Sequence, residues 1–218
     1  MIRRIHGTVA IAGLVLASAV VTPGTARAQA KFELTPFFAS YYALLTMSND
    51  ANGDGSNIKI QQTAASTWGG RLTYWVSPTI GIEAAGGYSK SGLRAFANDT
   101  STSGGLSFSV GGNIVAASAR MLYRPPRTNL HFIIGGGIVH RGGNFWKNEH
   151  DQDTTKVTSP AAILGAGVRA SVTPKFALNV SLEANLYSFD PDGTATAMKS
   201  KLNADVLLSI GVPITLSK

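Results

Sequence analysis

The sequence contains no cysteine. That excludes a disulfide scaffold, a thiolate metal site and a thiol nucleophile. Charge is scarce too: Asp, Glu, Lys and Arg make up 14% of the chain, against ~25% in ordinary soluble domains. From residue 31 onward basic residues never cluster beyond Arg124-Pro-Pro-Arg127 and do not interleave with aromatics. A nucleic-acid surface therefore has no footprint. Beyond residue 31 no apolar run approaches the ~18 residues of a spanning helix, and helical spacing is poor. What is present is a 44% hydrophobic chain with 24 glycines and much Ser, Thr and Ala. That is too apolar for a disordered polymer, and 218 residues suit one domain.

Residues 1–30 read as a secretory signal peptide. Arg3, Arg4 and His6 are basic, Val9–Val21 is apolar, and Ala26-Arg-Ala28 and Ala28-Gln-Ala30 are small-x-small cleavage sites. The apolar run is shorter than the ~20 residues a bilayer requires. Cleavage after Ala30 starts the mature domain, residues 31–218, at Lys31. It also removes three arginines, so the formal charge of +7 overstates the basicity.

From Lys31 onward the dominant signal is a period of two. In Phe176–Tyr187 the set Phe176, Leu178, Val180, Leu182, Ala184, Leu186 alternates with Ala177, Asn179, Ser181, Glu183, Asn185, Tyr187. Successive strand side chains point to opposite faces, so this is a strand with one apolar and one polar face. Residues 202–216 repeat the pattern over a length that exceeds the usual ~5–6 residue soluble strand and suits a tilted membrane strand of ~9–11 residues. Eight strands are expected, near 32–46, 65–76, 80–90, 108–123, 130–140, 160–172, 176–188 and 201–216. Short turns at 77–79, 124–129 and 173–175 alternate with long polar loops at 47–64, 91–107, 141–159 and 189–200. That alternation is the pattern of outer-membrane barrels. Arg71, Arg120 and Arg169 recur every 49 residues, each ahead of a proline-bearing turn.

Two barrel classes fit eight strands. A soluble, lipocalin-like barrel buries its apolar face around a ligand; a membrane barrel turns it to lipid. The polar face decides for the second. It carries Glu33, Arg71, Glu83, Arg120, Arg169, Glu183 and Asp205 among small residues, which suits a tight lumen of mutually paired charges. The apolar face carries Phe32, Tyr42, Trp68, Tyr74, Tyr88, Tyr123, Phe132 and Phe176 near strand ends, as interfacial aromatics do. Phe37, Tyr41 and Trp75 fall on the polar set and would fill the lumen. The expected fold is therefore all-β: an eight-stranded antiparallel up-and-down transmembrane β-barrel.

The opening Phe32-Glu-Leu-Thr-Pro-Phe-Phe-Ala-Ser-Tyr-Tyr42 and the close Leu202-Asn-Ala-Asp-Val-Leu-Leu-Ser-Ile-Gly-Val212 resemble the first and last strands of a known family. It is the small outer-membrane β-barrel family typified by the membrane domain of outer membrane protein A. The resemblance spans the mature chain at the level of pattern. It implies an outer-membrane location in a diderm bacterium, a lumen plugged by charged pairs, a monomer without cofactor, and insertion by the barrel-assembly machinery. Outer-membrane lipid and lipopolysaccharide are the implied surroundings. The chain departs from the family at Ile214-Thr-Leu-Ser-Lys218, where many members carry a terminal aromatic. No peptidoglycan-binding domain is expected.

Candidate chemistry is sparse. Asp50-Ala-Asn52-Gly-Asp54-Gly55 matches half of a calcium loop, but position twelve is Gln61 and no helices flank it. Glu149, Asp151 and Asp153 form a second acidic loop cluster, and Arg141, Lys147 and Lys156 could meet lipopolysaccharide phosphates. The enzyme alternative is a lipid A acylase or deacylase. It needs a histidine beside a nucleophile and an acid; His140 stands at the right height, but no serine adjoins it. No enzyme activity is expected; the expected role is structural and surface-interactive, and the plugged lumen leaves room for minor small-solute passage at most.

Overall fold

The computed structural model describes residues 31–45, 48–51, 57–98, 106–143, 158–173, 176–189 and 201–216. The expected signal peptide lies outside them. Every regular element among the described residues is a strand: β1 (Lys31–Ala43), β2 (Ser48–Ala51), β3 (Asn57–Gln62), β4 (Ala65–Trp75), β5 (Ile80–Ser89), β6 (Leu93–Asn98), β7 (Leu106–Val110), β8 (Asn113–Tyr123), β9 (Leu130–Gly142), β10 (Thr158–Thr173), β11 (Phe176–Phe189), β12 (Lys201–Gly211) and β13 (Ile214–Thr215).

Eight of these, β1, β4, β5, β8, β9, β10, β11 and β12, pair antiparallel in ring order. The ring closes where β1 meets β12, with Phe37 opposite Gly211 and Ala43 opposite Asp205. Closure leaves the barrel without an unpaired edge. Strand alternation then assigns the faces. Glu33, Arg71, Glu83, Arg120, Glu183 and Asp205 are buried, while Phe38, Ile82, Ile134, Leu164, Leu182 and Ile210 are exposed. The apolar face points outward and the charged face inward, the reverse of the lipocalin-like alternative.

Three expectations need correction. The strand expected at 201–216 ends at Gly211 and resumes as β13. Pro213 interrupts it because proline has no N–H to give the ladder; Val212 still donates its N–H to the Pro36 carbonyl. The strand expected at 108–123 begins only at Asn113. Gly111 and Gly112 separate it from β7, and a Cβ on Gly112 would stand 3.0 Å from the carbonyl oxygens of Gly142 and Ser91. Thirdly, the long connections at 47–64 and 91–107 are not plain loops. They hold β2, β3, β6 and the start of β7, which form a separate four-stranded antiparallel sheet.

A polar knot ties this second sheet to the barrel's long-loop end. Gln62 Nε2 donates to the carbonyl oxygens of Ser91 and Gly92, each at 3.0 Å. Gly92 N–H donates to Thr63 Oγ1, and Ser91 Oγ donates to the Thr63 carbonyl. Ser91 is completely buried, so these partners replace the water its hydroxyl gives up.

Candidate functional site

The lumen holds the charged cluster. Glu183 on β11 receives two arginines from opposite sides. Arg71 Nη2 on β4 reaches its Oε1 at 2.7 Å, and Arg120 Nη1 on β8 donates to Oε2. Arg120 Nη2 also reaches Glu83 Oε1 on β5 at 2.6 Å. Hydroxyls complete the set: Thr73 donates to Glu83 at 2.6 Å, and Ser181 to Glu183 at 2.9 Å. Arg71 also donates to Ser209 Oγ at 2.6 Å and lies 4.4 Å over the Phe37 ring. Guanidinium forks can serve several carboxylates at once. Room for Arg120 comes from Gly135, its partner on β9; a Cβ there would lie 2.8 Å from the Arg120 Cα.

Below this cluster, toward the short turns, is a mixed layer. Glu33 Oε2 accepts from Arg169 Nη1 at 2.8 Å and from the Trp75 indole at 3.0 Å. Lys31 stands 3.2 Å from Glu33 Oε1. Arg124, in the turn after β8, lies 4.1 Å over the Trp75 ring. Burial, with Arg169 adding repulsion, pulls its pKa below the usual arginine value. Trp75, Leu122, Ile133 and Ile163 pack as an apolar plug beside these charges.

A third layer sits toward the long-loop end. Arg141 on β9 faces Asp205 on β12 at 3.5 Å and lies 4.5 Å over the Tyr187 ring. Tyr41 is buried beside them at 2% exposure. A cavity of about 40 Å³ touches both this layer and the central cluster, with Tyr41, Thr67, Ser118, Arg120, Asn185 and Asp205 in its wall.

All seven lumen residues named from sequence point inward, but they do not form one network. Glu83, Arg120, Glu183 and Arg71 are linked; Glu33 and Arg169 pair separately; Asp205 pairs with Arg141. Arg141 corrects the expectation of a loop cation reaching lipopolysaccharide: it is 1% exposed inside the barrel. The available signal was its parity with His131, Ile133 and Val139 on one extended strand.

The outward aromatics form two girdles. Phe32, Tyr74, Tyr123 and Phe132 ring the short-turn end, with Phe32 and Tyr74 centroids 4.8 Å apart. Tyr42, Trp68 and Tyr88 mark the other end, with Trp68 and Tyr88 5.8 Å apart. Phe176 opens β11, and its side chain lies outside what is described. Of the acidic loop candidates, Asp50 falls in β2, its side chain likewise undescribed. Asn52, Asp54, Glu149, Asp151 and Asp153 lie outside the described residues. Among the described residues no metal-ligating cluster occurs. His140 Nδ1 meets a hydroxyl that sequence spacing did not reveal, Thr158 Oγ1 on the neighbouring strand at 2.7 Å. It has no carboxylate partner among the described residues.

A closed eight-stranded barrel, apolar outside with two aromatic girdles and charged inside, defines the class of small outer-membrane β-barrels. Solved structures share the fold. The solid-state NMR structure of outer membrane protein AlkL in lipid bilayers matches with a TM-score of 0.54 and 16% identity, over 90% of this chain and 95% of that one. The crystal structure of outer membrane protein OprG from Pseudomonas aeruginosa matches with a TM-score of 0.51 and 14% identity, over 87% and 97%. At such identities the likeness is one of fold. No family model matches the sequence, and no curated protein matches it.

Proposed function

We propose that this chain is an integral outer-membrane protein whose barrel is plugged and whose role is structural and surface-interactive. One observation carries the reading. The Arg71–Glu183–Arg120–Glu83 chain crosses the lumen at the level of the apolar belt. Eight strands enclose an interior that side chains can fill, and buried, mutually paired charges make a poor path for solutes. The exposed apolar band suits lipid, and the second sheet lies on the long-loop side, which faces outward in such barrels. The barrel-assembly machinery would insert the chain, and lipopolysaccharide would surround its outer half.

Two measurements test this together. Unboiled protein from the outer-membrane fraction should migrate differently from boiled protein on a denaturing gel. In a planar bilayer it should show no sustained open state. Recovery in the soluble periplasm without a mobility shift would refute the location. Steady conductance would refute the plug.

A further inference from the structure

The lumen arginines Arg71, Arg120, Arg141 and Arg169 each face a carboxylate. Arg94 on β6 differs. It is exposed, and among the described residues no carboxylate pairs with it. Its guanidinium carbon lies 5.9 Å from the Phe96 ring centroid, and Gln61 stands opposite it across the β3–β6 ladder. Arg94, Phe96, Gln61, Thr63 and Tyr42 line a cavity of about 410 Å³. Tyr42 belongs to the upper girdle, and Leu44 just beyond it is 60% exposed. The cavity thus opens where the apolar wall gives way to polar sheet. Lys90, exposed between the buried Ser89 and Ser91, is a further cation at the long-loop end, outside the cavity wall.

We propose that this pocket holds a phosphate of a lipopolysaccharide headgroup in the outer leaflet. The inference rests on the outer-membrane reading above. The chemistry is complementary at both ends of the ligand. An exposed guanidinium takes a phosphate by two parallel N–H bonds, and basic pockets at a membrane surface hold anionic headgroups. The Gln61 amide and the Tyr42 hydroxyl supply further donors, and Tyr42 and Leu44 meet the upper acyl chain. The knot of Gln62, Thr63, Ser91 and Gly92 holds β3 and β6 beside the barrel rim, so the donors stay at headgroup height.

The test uses the barrel refolded in detergent micelles, with bound lipid counted by native mass spectrometry. Lipopolysaccharide, its dephosphorylated form and inorganic phosphate are the three probes. Lipopolysaccharide affinity should fall about tenfold in Arg94→Ala, the loss expected for one charge-assisted contact. Arg94→Lys should recover part of it. Arg127→Asn, which removes an exposed cation at the opposite end and keeps a residue tolerant of its φ of 62°, should bind like the wild type. Dephosphorylated lipopolysaccharide should not distinguish wild type from Arg94→Ala. Equal affinity of wild type and Arg94→Ala for intact lipopolysaccharide would overturn the proposal. So would inorganic phosphate binding as tightly as the lipid, which would make the pocket a site for free anions. Heat modifiability of every variant separates these outcomes from a failure of the barrel reading itself.

Discussion

Two layers of the lumen use the same chemical groups in different ways. In the central layer, two arginines and two glutamates bond, Arg71 to Glu183 at 2.7 Å and Arg120 to Glu83 at 2.6 Å, and recruit serine and threonine hydroxyls. In the upper layer, one arginine faces one aspartate at 3.5 Å and rests on a tyrosine ring. The first is held by directed charge-assisted bonds. The second relies on aromatic faces, which accept a cation without fixing its orientation. A buried charge can therefore be accommodated by geometry or by packing, and the two solutions should fail differently.

The largest contrast should come from removing each acid. Glu183→Ala leaves Arg71 without a carboxylate and Arg120 with Glu83 alone, and urea unfolding in lipid vesicles should show a loss of about 3–5 kcal/mol. Asp205→Ala removes one contact of Arg141, which keeps the Tyr187 ring, and should cost about 1–3 kcal/mol. Equal losses would mean the two layers are equivalent. A smaller contrast comes from exchanging the cation. Arg120→Lys keeps the charge but cannot bridge Glu83 and Glu183, so it should cost about 1.5–3 kcal/mol. Arg141→Lys should cost about 0.5–1 kcal/mol, because an ammonium can still sit over the ring. Reversal of that order by the same unfolding measurement would contradict the orientation argument. The smallest effect belongs to Tyr187→Phe. It keeps the aromatic face and should shift stability by about 1 kcal/mol or less; a larger loss would assign Asp205 to the phenol rather than to Arg141.

The central layer was legible in the sequence and the upper layer only half so. Glu83, Arg120 and Glu183 sit inside long, regular alternations, where parity alone fixes the face. Asp205 was found the same way. Its partner was not, because Arg141 follows a run in which Ile133, Gly135, Gly137 and Val139 make the inward face look apolar. On that pattern the strand ends at His140 and the arginine falls in a loop. The second sheet escaped for a related reason. Its strands are four to six residues long, and among Gly, Asn and Ser such short periods carry little pattern. The Thr158 hydroxyl beside His140 is a cross-strand neighbour, set by register rather than by spacing along the chain. Which arginine bonds which acid is likewise a matter of register and curvature.

The closing seam has a consequence in time. Phe37 on β1 pairs with Gly211 on β12, so a strand from one end of the domain waits for one from the other. Contacts so distant in sequence form slowly, and until they form both strands present open edges that invite pairing with other chains. The seam is also its own slowest stitch: Pro36 has no N–H to return to Val212, and Pro213 breaks the run before β13 resumes. Closure at Phe38–Ala43 against Asp205–Ile210 meets no such interruption, which makes that stretch the natural place for the zipper to start and the Pro36–Pro213 stretch the place where it finishes.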